Sequence, residues 1–220
     1  MKFVHPQDTK AFAIGVIASI AGVILWDIIK FNFKLLEYKE PNKEDLLFSG
    51  FDINKYKNNP FPNNEDSLKE IEFLESKPIN EPAVRRLDKV AESFNNLLEI
   101  NNKAIDKEEI KKITPYIENI ITDLKKHYNR SRPYELKNID YVNLDSAKTK
   151  AYPSGHSLQG RFFALYFADK YPDLKDKFLR LGDSIGQSRL NGRVHYPSDH
   201  SFGKLIADDL YKQYKKNKNG

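Results

Sequence analysis

The chain has 220 residues and a mass of 25.6 kDa, enough for one domain with a sizeable core and little room for a second. Hydrophobic residues make up 40% and charged residues 30%, a globular composition, and the lack of cysteine excludes a disulfide scaffold, a thiolate zinc site and a cysteine nucleophile. The net charge of +5 and pI of about 9.0 suit an anionic ligand. Basic residues cluster only in the C-terminal tail (Lys212, Lys215, Lys216, Lys218), and the aromatics run at core periods, so no nucleic-acid partner is expected.

In chain order, the first feature is apolar. Ala11 to Leu25 is interrupted only by Ser19, and Trp26, Ile28 and Ile29 follow. As a helix, residues 11–29 would measure roughly 28 Å, close to the hydrocarbon thickness of a bilayer. The segment reads as a membrane anchor, as a signal peptide with small residues at Ser19 and Ala21, or as a buried helix of the domain. Positive residues flank it on both sides (Lys2, Lys10; Lys30, Lys34, Lys39), so charge does not orient it. Residues 1–36 are thus expected as an N-terminal anchor or signal segment. Residues 37–66, with Pro41, Pro60, Pro62 and two Asn pairs, read as a tether.

A catalytic domain is expected over residues 67–220. Val84, Leu87, Ala91, Phe94 and Leu98 follow Pro82 at helical spacing. Residues 107–128 carry Ile110, Ile113, Ile117, Ile120 and Leu124, with Pro115 expected to kink or break the helix. Residues 157–171 are apolar nearly all round and read as a central helix. Helices over 173–190 and 199–215 complete the set, and no alternating strand pattern intervenes. The expected fold is all-α, a helical bundle with its site at helix ends and adjoining loops, plus an N-terminal hydrophobic helix.

Three short segments carry chemistry. Lys125 and Arg132 stand seven apart, so one helix face would aim two cations at one place, with Pro133 ending that helix. Ser154 in Pro153-Ser154-Gly155-His156 is a natural N-cap, and the free amides behind it form an anion site beside a histidine able to give a proton. In Ser188-Arg189-x5-His195-x3-Asp199, Arg189 offers a planar fork for phosphate. Asp199 is placed to hold His195 in one tautomer and leave Nε2 as a nucleophile.

Eleven specified residues in this order are far beyond chance at ~1/20 per position. The pattern Lys-x6-Arg-Pro, Pro-Ser-Gly-His, Ser-Arg-x5-His-x3-Asp resembles the type 2 phosphatidic acid phosphatase superfamily, which includes class A acid phosphatases and vanadium haloperoxidases. The resemblance covers residues 125–199 firmly. It implies that Lys125, Arg132 and Arg189 clamp the phosphoryl oxygens, that Ser154 and Gly155 complete the cradle, and that His195 attacks phosphorus with Asp199 orienting it. His156 would protonate the leaving alkoxide and then activate water. It implies no metal and no other cofactor. His5, His127 and His200 have no place in the pattern.

Tyr152 before Pro153 and Gly186-Gln187-Ser188-Arg189 are similar to the class A acid phosphatases, His195-Tyr196-Pro197-Ser198-Asp199 to the lipid phosphatases. Asp199-His200-Ser201-Phe202-Gly203 departs from the family versions. The expected function is a metal-independent phosphomonoesterase acting on phosphate esters, membrane-anchored through residues 11–29 or exported, with a soluble catalytic domain. A peripheral lipid phosphate or diphosphate phosphatase is the alternative. A phosphate- or vanadate-binding protein, or a haloperoxidase, is a third reading.

Overall fold

A computed structural model describes residues 46–219. The segment 11–29 and the first part of the expected tether lie outside the described residues. Among the described residues there is no strand and the fold is all-α. No helix among them is long and apolar enough to cross a membrane.

Among the described residues eight α-helices follow one another: α1 (Asn64–Glu75), α2 (Glu81–Leu87), α3 (Val90–Ile100), α4 (Lys107–Tyr128), α5 (Pro133–Leu136), α6 (Gly155–Lys170), α7 (Lys175–Asn191) and α8 (Pro197–Asn219). Their starts follow the local chemistry. Asn63, Asn80, Asp106 and Ser154 each accept a hydrogen bond from a first-turn amide, which satisfies a donor the helix cannot. Asn129 ends α4 in the left-handed region at φ 50°, where asparagine is tolerated better than most side chains.

Helix α6 is central, as its composition suggests. Leu158, Phe162, Ala164 and Phe167 are all buried, and the helix packs chiefly against α7 and α8. Gly160 and Gly182 let α6 and α7 meet closely. A Cβ on Gly182 would lie 2.5 Å from the Gly160 carbonyl oxygen, a distance that no side chain tolerates. Ile113, Ile117, Ile120 and Leu124 close the core from α4.

Three expectations differ from the structure. The helix drawn through residues 84–98 is two helices, separated at Asp88 and Lys89. Of the two outcomes expected at Pro115, the break does not occur: the residue lies inside α4. It lies on a partly exposed side, next to exposed Lys111, whose carbonyl loses the amide partner; such a carbonyl can turn to water instead. Residues 46–62 pack on the core rather than hanging free: Phe48 and Tyr56 are buried, and Phe48 stacks on Tyr116 with centroids 4.2 Å apart. A few isolated aromatics fix this segment, without any repeat for a periodicity to detect.

Candidate active site

The helix ends converge on a cavity of about 710 Å³, with Lys125, Thr149, Gly155, His156 and His195 among its lining residues. Lys125 comes from the last turn of α4. Arg132 does not continue that helix: the chain turns at Asn129, and Arg132 is the N-cap of α5. The two cations nevertheless meet, through Thr149. Lys125 Nζ donates to Thr149 Oγ1 at 2.8 Å, and Arg132 Nε donates to the Thr149 carbonyl at 2.7 Å. Pro133 accordingly begins α5 rather than stopping α4.

His195 is buried, with Nδ1 3.0 Å from Asp199 Oδ2. A carboxylate only accepts, so Nδ1 carries the proton and Nε2 keeps its lone pair. Arg132 Nη1, which donates to the Val194 carbonyl at 2.6 Å, lies 2.9 Å from that Nε2. Burial, reinforced by the charges of Arg132, Lys125 and Arg189, holds the imidazole well below its ordinary pKa, so it is neutral. Asp199 is buried as well. Burial pushes its carboxyl up to about 6, against the pull of Arg130 and the Tyr196 amide. Arg130 Nη1 donates to Asp199 Oδ1 at 2.6 Å, its Nη2 to Glu70 at 2.9 Å, and its guanidinium lies 3.8 Å over the Tyr196 ring.

Ser154 caps α6 and its own amide donates to the Asp199 carbonyl at 3.0 Å. At the second residue of the helix, Nε2 of His156 lies 2.9 Å from the Asp88 carbonyl oxygen and 3.1 Å from its carboxylate. Arg189 Nη1 donates to the same carboxylate at 2.5 Å, and its Nη2 to Ser146 at 3.0 Å. Arg189 Nε is buried without a hydrogen-bond partner among the described residues, a donor that an anion's oxygen would satisfy. Burial, and next the Arg189 charge, lowers the His156 pKa, which Asp88 partly restores. Burial first, then Arg132, pushes Lys125 down to about 7.

Lys125, Gly155, His156 and His195 thus face one cavity, with Arg132 on His195, Asp199 behind it, Ser154 at the α6 cap, and Arg189 joined to His156 through Asp88. His127 lies apart, its Nε2 2.8 Å from the Lys57 carbonyl. Asp88, Arg130, Glu70 and Thr149 were not anticipated. Asp88 and Glu70 reach the site from 68 residues before His156 and 128 residues before Ser198, across a distance no spacing rule spans. Among the described residues no group of three His, Cys, Asp or Glu side chains is placed to hold a metal ion.

Residues 113–207 match the family model described as the PAP2 superfamily. The non-specific acid phosphatase of Salmonella typhimurium is 26% identical over 185 residues, covering 67% of this chain and 74% of that protein. The non-specific acid phosphatases of Providencia stuartii and Salmonella typhi are 32% and 31% identical over 87 residues, in each case 38% of this chain and 35% of the relative.

Proposed function

We propose that the chain is an acid phosphatase-like phosphomonoesterase of the type 2 phosphatidic acid phosphatase superfamily, a reading supported by its matches to the PAP2 superfamily model and to non-specific acid phosphatases, and that it works without a metal, through a phosphohistidine on His195. Nε2 of His195 attacks phosphorus, forming a P–N bond as the P–O bond to the alcohol breaks. Arg132 moves its N–H groups from Nε2 to a phosphoryl oxygen, Arg189 Nε and Lys125 take others, and Ser154 and the Gly155 amide complete the cradle. The charge that builds on the equatorial oxygens meets three cations held in place before reaction.

His156 donates the proton to the leaving alkoxide. Its Nε2 faces only acceptors on Asp88, so that nitrogen is the protonated one, and Nδ1 of the imidazolium is the proton source. Water then gives a proton back to His156 and attacks phosphorus; the P–N bond breaks and phosphate leaves. The observation that carries the reading is the His195 ring itself, tied by Nδ1 to Asp199 at 3.0 Å with Nε2 beside Arg132 at 2.9 Å.

In this reading residues 11–29 anchor the protein to a membrane or direct its export, supported by their apolar run. The substrate is a soluble phosphate ester. A lipid phosphate or diphosphate is the second reading, favoured by the run His195 to Asp199. The test is hydrolysis of p-nitrophenyl phosphate by the full chain in excess chelator, with and without orthovanadate. Turnover that survives chelator and stops with vanadate is expected. Vanadate binding without turnover would replace the phosphatase with a binding or oxidative role.

A further inference from the structure

Behind the cradle, Ser154 Oγ accepts the Ser157 amide at 3.3 Å and lies 2.8 Å from Ser157 Oγ, which in turn lies 2.8 Å from Nδ1 of His200. Ser154 and Ser157 are both buried. We infer that His200 is a positioning residue: its Nδ1–H starts a chain of donors through Ser157 that aims the Ser154 hydroxyl proton at a phosphoryl oxygen. The inference rests on the reading that Ser154 holds the phosphoryl group.

A hydroxyl has one proton and two lone pairs. When Ser157 O–H and N–H both donate to Ser154 Oγ, both lone pairs there are filled and the Ser154 proton is left to point into the cradle. The group behind Ser157 is His200 Nδ1; when that nitrogen carries its proton and donates, it offers Ser157 no acceptor, and the Ser157 proton goes forward to Ser154. In the other tautomer Nδ1 is an acceptor, the chain runs backward, and Ser154 spends its proton on Ser157. Phosphoryl oxygens only accept, so a bound phosphate selects the forward direction, and the imidazole supplies it by carrying its proton on Nδ1.

The packing makes room for this ring. A Cβ on Gly186 of α7 would lie 2.5 Å from Cε1 and 2.7 Å from Nδ1 of His200, so glycine there is what admits the imidazole. His200 directly follows Asp199. The first turn of α8 therefore orients two groups of the site, His195 through Asp199 and Ser154 through His200.

Four full-length variants test this: His200→Leu, His200→Asn, Ser157→Ala and the His200→Leu/Ser157→Ala double. Each is measured for orthovanadate and inorganic phosphate affinity, kcat and KM on p-nitrophenyl phosphate, and melting temperature. His200→Leu and Ser157→Ala are each expected to weaken anion binding about tenfold, the scale of one hydrogen bond to a charged group. The double variant should lose no more than either single one. The Asn amide keeps a donor near the Nδ1 position and should hold affinity within about threefold of the original. Additive losses, an Asn variant as weak as the Leu variant, or unchanged affinity in Ser157→Ala would overturn the relay. If the original chain binds phosphate but does not turn over, the phosphatase reading fails while the affinity series still decides the relay. If it binds neither anion, both fail.

Discussion

His156 Nε2 lies 3.1 Å from Oδ1 of Asp88, and that same oxygen takes Nη1 of Arg189 at 2.5 Å. One carboxylate thus balances a cation of the proposed cradle and favours the charged form of the proposed acid. Although burial pushes the Asp88 carboxyl up, the His156 hydrogen bond, the Arg189 charge and the Ser146 hydroxyl hold it well below the usual carboxylate range. A protonated His156 is needed to release a poor leaving group, so the rate on such esters should fall as pH rises through its pKa. Asp88→Asn removes the group that raises that pKa, and the alkaline limb should move to lower pH. Hydrolysis of p-nitrophenyl phosphate, whose leaving group hardly needs a proton, should lose much less. A limb that stays in place would remove Asp88 from this role.

Lys125 should take up a proton when an anion binds. Its pKa of about 7 in the free site leaves it largely neutral near pH 8, and an added dianion favours the charged form, so binding pulls a proton from solution. Calorimetric titration with phosphate in buffers of different ionisation enthalpy should show uptake approaching one proton in the original chain. In Lys125→Met the uptake should vanish. Equal buffer dependence in both would assign the proton to another group.

Arg130 has no counterpart in the family pattern, yet it is a cation that neutralises Asp199 behind the proposed nucleophile. Its side chain is 3% exposed and pairs with both Asp199 and Glu70. Arg130→Met would leave two carboxylates without their cation, a change that costs about 3–5 kcal/mol at buried sites. The expected result is a melting temperature lowered by many degrees, together with loss of turnover. A variant as stable as the original would show that the two acids are otherwise compensated.

At the far end of the bundle, Glu109 of α4 accepts from Tyr166 and Tyr214 at 2.6 Å each and pairs with Lys218 of α8. Burial pushes its carboxyl up, but the bonds from Lys218, Tyr166 and Tyr214 outweigh it and bring it from 4.5 down to about 2. A carboxyl lowered by folding stabilises above its unfolded pKa and loses that contribution as pH falls through the folded one. Glu109→Gln should therefore melt lower than the original at neutral pH, with the gap closing between about 4.5 and 2. A gap that persists at the acid end would point to packing rather than charge.

What could be read from the sequence was local. The α6 cap at Ser154, the His195–Asp199 pair four residues apart, and the apolar stripes of α4 and α6 all depend on neighbours within a turn or two, where spacing dictates geometry. Lys125 and Arg132 do converge, but through Thr149 rather than along one helix face, because the chain turns at Asn129. Asp88 and Arg130 could not be read, since their partners lie across the fold. Asp88 sits in the break between α2 and α3, which the continuous apolar spacing from Val84 to Leu98 conceals. His200 has no place in the motif, and the fold brings it to Ser157.

The phosphohistidine proposed on His195 is a covalent intermediate. It is tested most directly by rapid acid-free quenching of the full chain with a labelled phosphate ester, followed by mass mapping of the modified residue. An acid-labile phosphoryl group is expected on Nε2 of His195, accumulating in His156→Ala, where release by water is slowed, and absent from His195→Ala. Turnover with no label on the protein, or label on His195→Ala, would contradict it.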